Sequence, residues 1–221
     1  MDNAGSILGV VLAGGLSRRM NGHEKSLLAF SGRTLIEHVC TRLAPQVARL
    51  IVNANGDPSR FSHLELPVVP DTVPGHAGPL AGVLAGMRWA QEHTPELEFV
   101  ATAATDTPFF PSNYVEKLAK AGKLSANTVV LAASGGKRHP VFGLWPVALA
   151  DDLERFLGSG KGGKVMLFAA RHRLVDVAFP VAAPGIGDPF FNVNTPEDLE
   201  RARSFEKGLE TWIEEGADRD A

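Results

Sequence analysis

The chain has 221 residues, 44% hydrophobic and 21% charged, which is enough apolar material for a folded core and too much for a disordered segment. Its 22 basic and 25 acidic residues leave a formal charge of −3, so no basic excess supports wrapping nucleic acid and any anion site must be local. A lone cysteine, Cys40, excludes an internal disulfide, no apolar run approaches the ~18 residues of a membrane span, and MDNAGS lacks the basic start of a secretion signal; a cytoplasmic protein without a membrane partner is expected.

The first predicted element is a strand over Ile7–Ala13, a continuous β-branched run of the kind covered on both faces. Thr34 and Glu37 have capping-box spacing ahead of a helix whose apolar face is Ile36, Val39, Cys40 and Leu43. Strands follow at Arg49–Asn55 and Leu66–Asp71, then a helix at Gly78–His93 and a fourth strand at Glu98–Asp106. Beyond these the spacing predicts a helix over about Ser112–Ala121 and strands at Thr128–Ala133 and His139–Trp145. Helices at Ala150–Leu157 and Val165–Arg171, a strand at Leu174–Phe179 and a C-terminal helix from Thr195 complete the pass. Strands alternating with helices need crossover connections, so the expected class is α/β, a mostly parallel sheet with helices on both faces. No repeat or linker divides the chain, which reads as one domain over residues 1–221.

In open α/β sheets, ligands sit at the carboxyl ends of the strands. Gly14 and Gly15 end the first strand, Asn53 the second, Asp71 the third and Asp106 the fourth. Four strands aiming polar residues at one edge mark that edge as a site. The first strand runs into LAGGLSRRMNGHEKSLL, Leu12–Leu28, where two glycines permit close backbone approach to phosphate and Arg18, Arg19 and Lys25 bring positive charge. This turn is not the dinucleotide fingerprint G-x-G-x-x-G, nor a Walker A loop, since Glu24 precedes Lys25-Ser26. Gly158–Val165 fits the Walker spacing except at Val165, but it follows an amphipathic helix rather than a strand and reads as a helix C-cap. Asp106 is the candidate metal ligand, because a strand-end carboxylate beside polyphosphate suits Mg²⁺; the plain alternative is a turn cap before Pro108. Asn53 and Asp71 could bond a base or ribose, or serve their own turns.

These residues resemble the signature loop of the nucleotidyltransferases of the sugar-nucleotide and cofactor type, L-A-G-G-x-S-x-R-M-G-x-x-K. Val52–Asn55, Val69–Asp71, Gly78–Gly82, Thr105–Pro108, His139–Trp145 and Asn192–Leu199, in that order, make the chain similar to the molybdenum cofactor guanylyltransferases from about Val10 to Ala202. The resemblance implies a Rossmann-like three-layer α/β/α fold of the nucleotide-diphospho-sugar transferase type. It also implies transfer of GMP from GTP to molybdopterin with Mg²⁺ as cofactor. A nucleotide-binding half would span about 7–110, an acceptor-binding half about 111–205 and a tail 206–221. Leu12, Ala13 and Gly14 would line the nucleotide, Gly15 would lie beneath its phosphates, and Lys25, helped by Arg19, would neutralise their charge. Asn53 and Asp71 would face the nucleoside, while Gly78, Pro79, Leu80 and Gly82 would border the base pocket. Asp106 would bind GTP through Mg²⁺, and Asn192 and Asn194 would lie near the pterin. Arg138, His139, Lys161 and Lys164 are basic enough to hold an anionic pterin, though solvated surface explains them equally well. Thr195, Pro196 and Asp198 form an N-cap, N1 and N3 set that is structural in itself.

Two departures bring cytidylyl-transferring relatives closer. Asn21-Gly22-His23-Glu24-Lys25 stands where the family commonly has Gly-Gly-x-Asp-Lys, and Thr105 stands where it often has Cys. The expected partners are GTP, molybdopterin, cofactor-handling proteins and apoenzymes. Three readings stay open beside guanylyl transfer: a cytidylyltransferase on the same cofactor, another NTP-dependent nucleotidyltransferase, and a non-catalytic pterin carrier or chaperone. Lys25 and Asp106 weigh against the carrier, which has no use for a metal-polyphosphate cradle.

Overall fold

β1 (Ile7–Leu12) is buried along its whole length and sits inside a seven-stranded sheet. In this computed structural model the described residues are 3–14, 25–73, 78–159, 164–181 and 187–204. Ile7 and Val11 face one core, and Leu8, Val10 and Leu12 face the other, as the alternation of a strand requires. A small hairpin, β2 (Ala29–Phe30) with β3 (Arg33–Thr34), leads into α1 (Leu35–Leu43). Two-residue strands carry no periodic signal, which is why the sequence did not reveal them. The expected capping box forms: the Thr34 N–H donates to Glu37 Oε2 at 2.6 Å and the Glu37 N–H to Thr34 Oγ1. Those bonds favour the charged form and hold the Glu37 carboxyl below its ordinary range.

β4 (Arg49–Asn53) and β5 (Val68–Val69) follow, separated by a 3₁₀ segment over Pro58–Leu64 whose start is capped by Asp57. The expected third strand thus shrinks to two residues. Next come α2 (Pro79–His93), β6 (Phe99–Ala104), α3 (Tyr114–Gly122), β7 (Thr128–Ser134) and β8 (Lys137–Pro146). α4 (Ala150–Gly158), α5 (Val165–Ala169) and β9 (Arg173–Phe179) complete the labelled elements, and residues 196–204 are helical. The strand order is β5-β4-β1-β6-β8-β7-β9. Every pairing in this seven-stranded sheet is parallel except those of β8, which runs against both β6 and β7. The sheet is therefore mostly parallel, as the alternation of elements predicts.

One core lies under α1 and α3, built on Ile36, Leu43, Tyr114 and Leu118. The other lies under α2, α4 and α5, built on Leu80, Met87, Leu153 and Phe168. Thr102, fully buried in β6, ties the antiparallel strand in: its hydroxyl donates to Val141 O at 2.7 Å and accepts from Trp145 Nε1 at 3.1 Å. A third cluster of Leu35, Phe109, Val193 and Ala202 seats the chain's last described segment against α1. No described helix is long and apolar enough to cross a membrane.

Candidate functional site

Register decides which residues meet. Leu12 pairs with Asn53 on one side and with Ala104 on the other, so three strands end at one level. Gly14, Asn55 and Asp106 each lie two residues beyond it. Asn53 pairs in turn with Val69, which brings Asp71 to the same edge.

The edge at the ends of β4 and β5 is built around two amides and one carboxylate. Asn53 is 2% exposed, and its Nδ2 donates to Val69 O at 3.1 Å and to Asp71 Oδ1 at 3.0 Å. Asn55 Nδ2 donates to Asp71 Oδ2 at 2.7 Å, while the Asp71 N–H donates to Asn55 Oδ1 at 2.9 Å. One carboxylate thus clamps the ends of β4 and β5 together, and Asn53 is a building block of the edge. Asn55 is a member of this set that the sequence reading passed over. Its signal was its place two residues after Asn53, since alternate residues of an extended segment share a face.

Glycines leave the space beside this clamp. A Cβ on Gly82 would collide with Asn53 Oδ1 and lie 2.6 Å from Leu12 Cδ2; one on Gly14 would lie 3.3 Å from Asn53 Oδ1. Ala13 is fixed by its N–H, which donates to Asn53 O at 2.9 Å. Gly78 adopts φ +70°, the left-handed side that suits glycine, and Pro79 then opens α2 with no side-chain cap at its N-terminus. Leu80 points into the core with no exposure. Gly15, Arg18, Arg19, His23, His76 and Lys161 lie outside the described residues, as does the tail from 205. Lys25 opens a 3₁₀ turn over Lys25–Leu27 at the far end of the glycine-rich loop.

Asp106 follows β6 and connects to the C-terminal half through two links. Its carbonyl accepts from the Val193 N–H at 2.7 Å. Thr107 Oγ1, fully buried, lies 3.1 Å from Asp106 Oδ1 and 2.6 Å from Asn192 Oδ1. A hydroxyl has one proton to give, and the shorter contact, to Asn192 Oδ1, has the length of an O–H···O bond, so Thr107 donates there and stands between that amide and the Asp106 carboxylate. Asp106 supplies a hard oxygen donor of the type Mg²⁺ takes with one or two carboxylates and phosphate oxygens. Asn194 is exposed, and its N–H donates to Asp198 Oδ2 at 3.0 Å; the Thr195–Asp198 cap forms as its spacing predicts.

The two basic candidates on β8 are separated. Strand alternation sends Arg138 and His139 to opposite faces. Arg138 forms a forked pair with Asp176 of β9, at 2.8 and 2.7 Å from Nε and Nη2. His139 stacks on Phe190, ring centroids 4.4 Å apart, in the segment that leads to Asn192. Its Nε2 lies 2.6 Å from Ser134 Oγ, and Ser134 Oγ lies 2.7 Å from both oxygens of Asp188. Burial pushes the His139 pKa down, and the Asp188 charge only partly offsets that. Ser134 and Asp188 had no sequence signal, because 54 residues separate them. Lys164 is exposed ahead of α5.

A family model described as the MobA-like NTP transferase domain matches residues 9–177. A molybdenum cofactor guanylyltransferase of Bradyrhizobium sp. (strain ORS 278) is 50% identical over 197 residues, covering 89% of this chain and 92% of that protein. One of Rhizobium meliloti (strain 1021) is 46% identical over 203 residues, covering 91% and 92%. Among crystal structures, molybdopterin-guanine dinucleotide biosynthesis protein A from Archaeoglobus fulgidus superposes with a TM-score of 0.67 at 26% identity, over 91% of this chain and 99% of that one. A 4-diphosphocytidyl-2C-methyl-D-erythritol synthase from Anaerococcus prevotii shares the fold, with a TM-score of 0.69 at 15% identity over 93% and 97%.

Proposed function

The chain belongs to the MobA-like NTP transferase family, and from that premise we propose that it transfers GMP from GTP to the terminal phosphate of molybdopterin, releasing pyrophosphate. It is a nucleotidyltransferase acting in molybdenum cofactor biosynthesis. The observation that carries the assignment of parts is the joint between Asp106 and Asn192. Through Thr107 it sets the nucleotide half's carboxylate against the half reserved for the acceptor. The nucleotide half takes residues 7–110 and the acceptor half 111–205.

An oxygen of the acceptor phosphate attacks the α-phosphorus of GTP; a P–O–P bond forms to the acceptor, and the bond between the α-phosphorus and the bridging oxygen breaks. A phosphate monoester is mostly dianionic at pH 7, with a second pKa of about 6, so the nucleophile needs little help from a base. Positioning and charge stabilisation then carry the rate. Gly14 and Gly15 let the backbone approach the phosphates, and Lys25 with Arg19 balances their charge. Asp71 keeps a second lone pair on each oxygen after binding Asn53 and Asn55, which suits the N1–H and amino donors of guanine. Asp106 would hold Mg²⁺, an ion that neutralises polyphosphate charge and polarises the phosphoryl oxygens when bound. The dinucleotide product would pass to cofactor-handling proteins or apoenzymes.

The test is transfer itself: molybdopterin and Mg²⁺ with GTP, CTP, ATP or UTP, following pyrophosphate and the dinucleotide. Product with GTP alone is expected. Preference for CTP would move the protein to the cytidylyl branch, and nucleotide-independent retention of the pterin would favour a carrier.

A further inference from the structure

The Asp188–Ser134–His139 chain contains the residue types of a hydrolytic triad in the wrong order. In that triad histidine stands between serine and aspartate. Here the serine is in the middle, 3% exposed, with its oxygen within 2.7 Å of both carboxylate oxygens and 2.6 Å of the imidazole. A serine so placed is a connector and not a nucleophile.

Counting protons fixes the direction of the chain. Ser134 has one hydrogen to donate, and a carboxylate only accepts. Were that hydrogen given to His139 Nε2, the Ser134 lone pairs would face two carboxylate oxygens with nothing between them. The hydrogen therefore goes to Asp188, and Ser134 Oγ accepts from His139 Nε2–H. Asp188 is itself held, since its Oδ1 also accepts the Phe190 N–H at 2.8 Å and its carbonyl accepts the Phe191 N–H. Phe190 is 3% exposed and stacks on the imidazole with an interplanar angle of 18°, which fixes the ring's plane. The other nitrogen, Nδ1, has no hydrogen-bond partner among the described residues and is not among their buried unbonded atoms. His139 is at the ligand edge because β8 runs antiparallel, so its first residues lie level with the ends of the parallel strands.

We infer that Asp188 and Ser134 are positioning residues that hold His139 in its Nε2–H tautomer, so that Nδ1 accepts a hydrogen bond from a ring N–H of the acceptor's heterocycle. This rests on the proposed function. A neutral Nδ1 has a lone pair and no hydrogen, so it suits an N–H donor and repels a phosphate dianion. His139 thereby recognises the pterin ring and leaves the acceptor phosphate to the residues around Asp106.

The resting protein decides the first half. Nitrogen NMR of the full chain labelled in histidine, at pH 8, is expected to show His139 protonated at Nε2 and bare at Nδ1, with Ser134→Ala and Asp188→Asn each mixing the tautomers. A wild-type ring protonated at Nδ1 overturns the inference. Steady-state transfer decides the second half. Ser134→Ala and His139→Ala are expected to raise KM for molybdopterin about tenfold, the scale of one ordinary hydrogen bond, with KM for GTP unchanged. Free pterin should inhibit these variants less well than wild type, and inorganic phosphate should inhibit all three alike. Equal rises in both KM values, no rise in either, or a loss of phosphate inhibition in place of pterin inhibition overturns it. If the wild type transfers no GMP to molybdopterin the proposed function falls, while the tautomer still decides the positioning roles.

Discussion

The half of the sheet from β5 to β6 and the half from β8 to β9 reach the same edge by opposite routes. In the first, parallel strands deliver their last residues, and Leu12, Asn53 and Ala104 stop at one level. In the second, β8 reverses, and its opening residues Lys137–His139 arrive there, paired with the end of β7. The first half ties its polar groups together in the Asn53–Asn55–Asp71 clamp, each oxygen of whose carboxylate accepts one side-chain amide N–H. In the second, Nδ1 of His139 has no hydrogen-bond partner among the described residues. The comparison teaches that the carboxyl-end rule is a statement about parallel strands, and that a single reversed strand inverts it.

Removing the charge partners should break the comparison most. Asp106→Ala and Lys25→Ala are expected to lower transfer by at least ~10²-fold, the scale for deleting one transition-state charge partner. Near-normal turnover in either variant would remove that residue from the mechanism. Next comes the space beside the clamp: Gly82→Ala drives a methyl into Asn53 and Leu12, both held in place. It should lower stability by about 1–3 kcal/mol, as overpacking does, and raise KM for GTP more than KM for the acceptor. Urea denaturation and kinetics on the same preparation read both.

Acidification should then single out the second half, which contains His139 and His172. Burial lowers the pKa of both below the ordinary 6.5, against the pull of the nearby Asp188 and Asp152 charges, and at His172 the Arg171 charge lowers it further. His172 Nε2 lies 3.3 Å from Asp152 Oδ2 without an aligned hydrogen bond. As pH falls below about 6.5 the unfolded chain takes up protons that the folded one resists, so their contribution to stability is full above that value and is lost below it. The urea midpoint should fall between pH 7.5 and 5.5, less steeply in His172→Gln; a midpoint that rose on acidification would contradict this. The smallest effect is expected at Arg138, whose forked pair with Asp176 lies on the sheet face opposite His139. Arg138→Ala should leave KM for molybdopterin within about twofold, since exposed pairs contribute little. A tenfold rise would place the acceptor on the other face.

The sequence by itself determined the fold class, the order of nearly all the elements and the sheet edge at which the polar strand-end residues gather. Those features follow from local rules: strand and helix periods, caps such as Thr34–Glu37, and the requirement that parallel strands end where the ligand sits. The same rules placed Gly14, Asn53, Asp71 and Asp106 together, because each closes its own strand. Tertiary structure alone decided how Asp106 meets Asn192 through Thr107, which face each of Arg138 and His139 takes, and that Ser134 and Asp188 stand together. Such contacts join residues far apart in sequence, across a strand whose reversal no local period announces. The physical reason is that register between strands, unlike the shape of one strand, is fixed by packing two surfaces and not by the residues of either alone.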